Sequence, residues 1–396
     1  MSALCSLSVL ILVTGLLAEV SRADSATGEV PPDAVLADLP FLPWHQMNRV
    51  VLNLAPEGEK PFRLMLDTGA TAPFLTPGYA KELGVSIRAA RDRPYERGTV
   101  LGRPLQFWIQ TRTSSTLSPS GWEYGLLGGQ FLAEYVIEVD FPRRRVRFID
   151  PDRFPVAKQV EAPGEAVLPL NLIANRPHVQ VALDGKTLEV LLDTGAPWTM
   201  LLSGESAERV GFRPEVIARA SIGGVVGRTE AQLVEAHSLS LGPFSFSPAP
   251  IEVAPNGFFN QASSSDSLIG YEVLRHFVVR LDYPHRRLWL RRADEEPLAW
   301  MSVPWTTARR VGVIAGVDDE GVRVQAVLPD TPAERRGLRP GDLIPLSGGR
   351  DDPEKALLGV LEKVERNAPI TVLRRRGDEE WESVALGTEP ETAKSP

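Results

Sequence analysis

Leu188-Glu189-Val190-Leu191-Leu192-Asp193-Thr194-Gly195-Ala196 is written twice in this chain: residues 62–70 read Phe62-Arg63-Leu64-Met65-Leu66-Asp67-Thr68-Gly69-Ala70. Each is an apolar run ending in an aspartate, followed by Thr-Gly-Ala. A second motif repeats further on. Leu127-Gly128 opens a run that closes on Val139-Asp140-Phe141-Pro142-Arg143-Arg144-Arg145-Val146. Ile269-Gly270 opens its partner, which closes on Leu281-Asp282-Tyr283-Pro284-His285-Arg286-Arg287-Leu288 without a gap. Two separated motifs recurring in the same order mark an internal duplication.

Both copies read as β structure. His178 to Leu183 and Leu188 to Leu192 alternate apolar with polar or small residues around Asp184-Gly185, a two-residue hairpin signal. Val50 to Leu54 and Phe62 to Leu66 repeat the pair with a longer turn. After each DTGA comes a short helical patch, Pro77 to Leu83 and Gly204 to Val210, with Gly84 and Gly211 at the C-cap position. The second copy is longer, and the polar stretch Asn256 to Asp266 takes up much of the difference.

The chain has 396 residues, 43% of them apolar and 24% charged, a globular balance with room for two or three domains. A net charge of -8 argues against nucleic acid as the main partner, because phosphate binding needs a basic face. One Cys and five scattered His exclude a disulfide framework and give no metal-ligand spacing. Leu4 to Leu17 is too short to span a bilayer and precedes Ser21-Arg22-Ala23, a small-x-small cleavage site. Residues 1–23 therefore read as a cleaved export signal, placing the chain in the periplasm or outside the cell with no membrane span remaining. Residues 24–44 follow as an N-terminal extension, 45–155 and 156–295 as the two copies, and 298–390 as a third unit. Arg291 to Pro297 is charged, ends in Pro and suits a linker.

An aspartate at the end of an apolar strand needs a reason. Strands disfavour Asp, and a lone buried carboxylate costs several kcal/mol unless paired or protonated. Gly69 and Gly195 permit a tight turn that brings backbone N–H groups to the carboxylate, and Thr68 and Thr194 offer hydroxyls that can bond to the opposite turn. If the copies pack about a pseudo-twofold axis, Asp67 and Asp193 meet. Two carboxylates about 3 Å apart share one proton and hold a water, one acting as base and the other as acid.

At these residues the chain resembles the retropepsin-like (clan AA) aspartic proteases. Both DTGA turns match that family's catalytic turn, with Asp67 and Asp193 as its dyad and Thr68, Gly69, Ala70, Thr194, Gly195 and Ala196 as its support. Leu126-Leu127-Gly128 and Leu268-Ile269-Gly270 match the strand that buttresses the turn. Ile222-Gly223-Gly224-Val225-Val226-Gly227 is similar to the glycine-rich flap, with Gly223, Gly224 and Gly227 as its glycines. The resemblance covers about residues 45–292. It implies a mainly β, two-lobed acid-protease fold made of duplicated β-barrel lobes, a peptide or protein substrate, no metal and no cofactor. With both lobes in one chain, it also implies a monomer. The first copy departs from the pattern: no Gly-Gly flap lies between Val85 and Leu127. The basic segment Arg88 to Arg103 stands there instead and reads as a solvated loop, with a flap centred near Thr99 to Gly102 as the alternative.

The third unit is α+β. Val322 to Val327 alternates like a strand, Thr331-Pro332 starts a short helix that Gly337 ends, and Asp352 to Arg366 is an amphipathic helix. Ile370 to Leu373 and Trp381 to Ala385 close it as strands. Leu328-Pro329-Asp330-Thr331-Pro332-Ala333 and Gly337-Leu338-Arg339-Pro340-Gly341-Asp342-Leu343-Ile344 resemble a PDZ domain. Such domains take up a C-terminal peptide as an added strand, and Val311-Gly312-Val313-Ile314 is the candidate carboxylate loop. The reading is an exported aspartic endopeptidase with a PDZ domain for peptide capture or regulation. The alternative is a weak or inactive peptide-binding scaffold that uses the same cleft.

Overall fold

The computed structural model describes residues 30–42, 49–58, 60–86, 94–109, 125–154, 163–224, 227–259, 266–293, 305–317, 321–345, 359–364, 366, 368–376 and 380–386. The export signal, the flap tip Val225-Val226 and most of the amphipathic helix Asp352 to Arg366 fall outside them. Among the described residues the strands form four sheets, and the chain is mainly β.

The strand that ends at each aspartate is set in the same way. Phe62–Leu66 pairs antiparallel with Val51–Leu54 and parallel with Gly125–Leu127, which itself runs antiparallel to Phe74–Leu75. Lys186–Leu192 pairs antiparallel with Arg176–Leu183 and parallel with Ser267–Ile269, which runs antiparallel to Met200–Ser203. The Asp184-Gly185 turn has both residues at positive φ, 46° and 77°, the conformation that matches the strands' twist. The helices Pro77–Glu82 and Gly204–Val210 begin on Thr76 and Ser203, whose hydroxyls accept from Tyr79 N–H and Ser206 N–H. They end before Gly84 and Gly211, at φ 72° and 69°.

A six-stranded sheet joins the two halves, in the order Val35–Pro40, Arg145–Ile149, Val136–Asp140, Phe277–Asp282, Arg287–Arg292, Glu165–Pro169. Its middle pair crosses at Glu138 and Arg280, which occupy matched positions in the two copies. Arg280 Nη2 lies 2.5 Å from Glu138 Oε2, with both side chains buried, and the guanidinium is stacked 4.3 Å from the Trp289 ring centroid. Arg147 bonds the other oxygen of Glu138 at 3.0 Å. Beneath the sheet one apolar core runs through both halves, from Leu52, Leu66 and Phe148 to Leu192, Phe277 and Leu290.

Three expectations change here. Val35–Pro40, inside the N-terminal extension, is an edge strand of the joining sheet, hydrogen-bonded to Arg145–Ile149. The basic segment is not a solvated loop over its described part: Tyr95–Val100 and Arg103–Ile109 form a hairpin with Val100, Leu105 and Phe107 buried. Alternation of those apolar residues outweighs the arginines between them. Arg291-Arg292 belongs to the strand Arg287–Arg292 rather than to a linker; residues 294–297 of the linker lie outside the described residues.

The C-terminal unit has its own sheet, ordered Val313–Val317, Gly321–Val327, Leu343–Pro345, Ile370–Arg376, Glu380–Leu386, and its own core around Val311, Val322, Val324, Leu361 and Val372. Thr331 caps the helix Pro332–Arg335 as expected. The unit touches the rest of the chain at Glu235, which accepts from Trp305 Nε1 at 2.7 Å and from Arg309 Nη1 at 2.6 Å. No helix among the described residues is long and apolar enough to cross a membrane.

Candidate active site

The two DTGA turns meet. Thr68 N–H donates to Thr194 Oγ1 at 3.1 Å and Thr194 N–H to Thr68 Oγ1 at 3.0 Å. Each hydroxyl then donates across the interface, Thr68 to Leu192 C=O and Thr194 to Leu66 C=O, both at 2.6 Å. Four bonds among buried groups thus lock two segments 126 residues apart. Serine keeps these hydroxyl bonds; valine at one position removes two of the four, and valine at both removes all of them.

Behind each turn the neighbouring strand fixes its entry. Asp67 N–H donates to Leu127 C=O at 3.0 Å and Asp193 N–H to Ile269 C=O at 2.9 Å. A Cβ on Gly128 would strike Ala72 C=O and one on Gly270 would strike Ala196 C=O, which explains a glycine at the end of each buttress strand.

The carboxylates face each other across the glycines. A Cβ on Gly69 would overlap the Asp193 carboxylate, and one on Gly195 would sit 2.8 Å from Asp67 Cγ. Asp67 Oδ1 accepts from Ala70 N–H at 2.9 Å and Asp193 Oδ1 from Gly195 N–H at 2.8 Å. Burial pushes both carboxyls above the ordinary range, Asp67 well above it with the charge of Asp193 adding to the effect. For Asp193, a hydrogen bond with Asp67 and the amides of Gly195 and Ala196 oppose the rise. The two carboxyls therefore titrate as one coupled pair that shares a single proton between its two steps.

Three residues near the pair escaped the sequence reading. Arg49 and Arg176 are half-buried and feel both carboxylates. Tyr283 is fully buried, and its hydroxyl has no hydrogen-bond partner among the described residues. The signal available was positional: Arg49 and Arg176 each stand at or just before the start of the strand that pairs with the aspartate's own strand, whereas Tyr283 has Phe141 as its counterpart and no polar precedent.

Gly223, Gly224 and Gly227 lie in the hairpin Val216–Gly224/Gly227–Ala236, where Gly224 pairs with Gly227. Ile222 beside them is buried with Leu191, Ala196, Leu201 and Leu268, so the hairpin stem packs next to the Asp193 turn. In the first half the hairpin turns at Leu101 and Gly102, φ 52° and 78°, within the segment where a flap was the alternative. In the C-terminal unit Val311 is core and Gly312 N–H is engaged by Ala308 C=O at 2.6 Å. Only Val313 and Ile314 of the expected loop lie on the sheet's edge strand. Among the described residues no group of three or more His, Cys, Asp or Glu is placed to hold a metal ion.

Comparison with known proteins bears on this arrangement. No curated protein sequence is similar to the chain at the level that marks relatedness. Among solved structures, a retropepsin-like aspartic protease from Rickettsia conorii is 21% identical, matching 32% of this chain and 89% of its own, with a TM-score of 0.26. EIAV protease complexed with the inhibitor HBY-793 is 25% identical over 25% of this chain and 86% of its own, with a TM-score of 0.21. Aspartic proteinase from Irpex lacteus is 11% identical over 65% of this chain and 97% of its own, with a TM-score of 0.39. Residues 179–273, the stretch that carries Asp193, its turn and the hairpin above it, match the family described as Aspartyl protease.

Proposed function

We propose that this chain is an exported aspartic endopeptidase that hydrolyses peptide bonds through a water held between Asp67 and Asp193. The observation that carries the reading is the crossed hydrogen bonding of Thr68 and Thr194, which brings two buried carboxyls into one site. In the resting pair the two carboxyls share one proton. With that proton on Asp67, Asp193 takes a proton from the water as its oxygen bonds to the scissile carbonyl carbon, while Asp67 gives its proton to the carbonyl oxygen. The C–N bond of the resulting gem-diol then breaks, with a proton returned from Asp193 to the leaving nitrogen and one from the diol to Asp67. The glycine-rich hairpin of the second half covers the peptide. Two retropepsin-like lobes in one chain suit a monomer, and the C-terminal unit serves as a PDZ domain that adds a peptide along Val313–Val317. Residues 1–23 direct export and are removed.

The test is cleavage of a denatured protein between about pH 3 and 8, with Asp67→Asn and Asp193→Asn as blanks and a pepstatin-type inhibitor as a second control. The expected optimum is mildly acidic, with loss of rate as the shared proton leaves. A rate still climbing at the alkaline end, or one surviving in either blank, would overturn the mechanism. Tight peptide binding without cleavage would favour the scaffold reading.

A further inference from the structure

The strand ladders place a guanidinium opposite each carboxylate. In the first half Val51 pairs with Met65 and Val50 C=O accepts from Leu66 N–H at 2.8 Å, so the next step sets Arg49 across from Asp67. In the second half His178 pairs with Leu191, and the same two steps set Arg176 across from Asp193. Residues opposite one another on antiparallel strands share a face, with Cβ atoms about 5 Å apart. Each half therefore brings its own cation to the pair.

Electrostatics agree with the placement. Burial pulls Arg49 down to about 10 and lowers Arg176, while Asp67 and Asp193 act on both in the opposite sense. The Arg49 charge in turn opposes the upward push of burial on both carboxyls. The other groups that face the pair are the amides of Gly69, Ala70, Gly195 and Ala196 and the Tyr283 phenol. Burial and the neighbouring carboxylates keep that phenol protonated. Two buried carboxyls without cations would stay doubly protonated into the range where one of them must be ionised to take a proton from water.

We infer that Arg49 and Arg176 are positioning residues for the carboxylate pair, each holding its side of the site electropositive so that one carboxyl ionises while the other keeps the proton. The inference rests on the reading of Asp67 and Asp193 as acid and base, and it adds what sets their working range. Both cations act on both ionisations, so removing either shifts the whole pH window upward rather than lowering its height alone.

The experiment is a titration of the carboxyl carbons by NMR in full-length protein labelled at Asp Cγ, with Asp67→Asn and Asp193→Asn assigning the signals. The pH–rate profile is measured beside it. Arg49→Gln and Arg176→Gln should each raise both apparent pKa values of the pair, and both limbs of the profile, by about one unit. Arg49→Lys and Arg176→Lys should stay within about half a unit of the parent. Unmoved pKa values in folded glutamine variants would overturn the inference, as would lysine variants displaced as far as glutamine. If a glutamine variant does not fold, Arg49→Met or Arg176→Met at that site, which also removes the charge, is read in its place against the same expectation. A parent that never cleaves peptide, with pKa values that still move, would sink the protease reading and leave the electrostatic role standing.

Discussion

The two halves agree closely at the turn and diverge at the hairpin that follows it. Around the aspartates, equivalent hydrogen bonds differ by about 0.1 Å or less: 3.0 and 2.9 Å to the buttress strand, 3.1 and 3.0 Å between the threonines. The hairpins share little. In the first half, Tyr135 is fully buried and its hydroxyl donates to Val100 and Leu101 C=O, both at 3.3 Å, while Glu57 N–H bonds Thr99 C=O at 3.0 Å. That hairpin is part of the body. In the second half the strands are longer, Val216–Gly224 and Gly227–Ala236, and Glu235 at their root is gripped by Trp305 and Arg309 of the C-terminal unit. The turns cannot drift, because each completes the other's hydrogen bonds. The hairpins have no such reciprocal partner and are free to take different roles.

The largest test of the turn's equivalence is Asp67→Asn against Asp193→Asn. Each should lower kcat by about 10³-fold or more despite their unequal burial, since the pair acts as a unit. A variant within tenfold of the parent would break the equivalence. Glu138→Arg, which makes the matched positions of the joining sheet alike, should destabilise the fold by about 3–5 kcal/mol in a denaturant melt. Adding Arg280→Glu should recover most of it; a double variant as unstable as the single would refute the pairing.

The pH dependence has a definite sign. The Asp67 carboxyl is raised by folding above its ordinary 3.8, so its contribution to stability is full below that value. The contribution is lost as pH rises through the folded value. Asp67→Asn should therefore melt higher than the parent at neutral pH and alike in strong acid. Equal melting temperatures at neutral pH would contradict the burial argument.

Smaller effects sharpen the contrast between the hairpins. Tyr135→Phe should cost about 0.5–1.5 kcal/mol and speed amide exchange at the first hairpin while leaving the second unchanged. Glu235→Ala should cost less than about 1 kcal/mol, since the pair is partly exposed, but speed exchange in the second hairpin and in Trp305–Val311 together. Exchange that rises in only one of those segments would show that they are not coupled.

The turns, the buttress glycines, the strand pairs and the helix ends were legible because each depends on local chemistry written twice. The edge strand Val35–Pro40 was not, because its place depends on pairing with Arg145–Ile149 more than a hundred residues away. The first hairpin was obscured by Arg97 and Arg103, which look like a solvated loop until Val100, Leu105 and Phe107 are seen facing the core. Arg49 and Arg176 were hidden by ordinariness: an arginine before a strand carries no signal until the ladder register sets it against an aspartate. Gly312 follows the helix Trp305–Val311, and its N–H bonds back to Ala308 C=O, a placement that the loop pattern did not reveal.

The Glu138–Arg280 pair also bears on how the chain can assemble. Where a twofold axis passes between two contacting residues, two identical subunits must present the same residue to each other. Here the matched residues at that crossing are glutamate and arginine, buried and in contact. Either half facing a second copy of itself would bring two carboxylates or two guanidiniums together in the middle of a sheet. The opposite charges make each half the other's proper mate and reject the self-pairing that sequence likeness would otherwise invite.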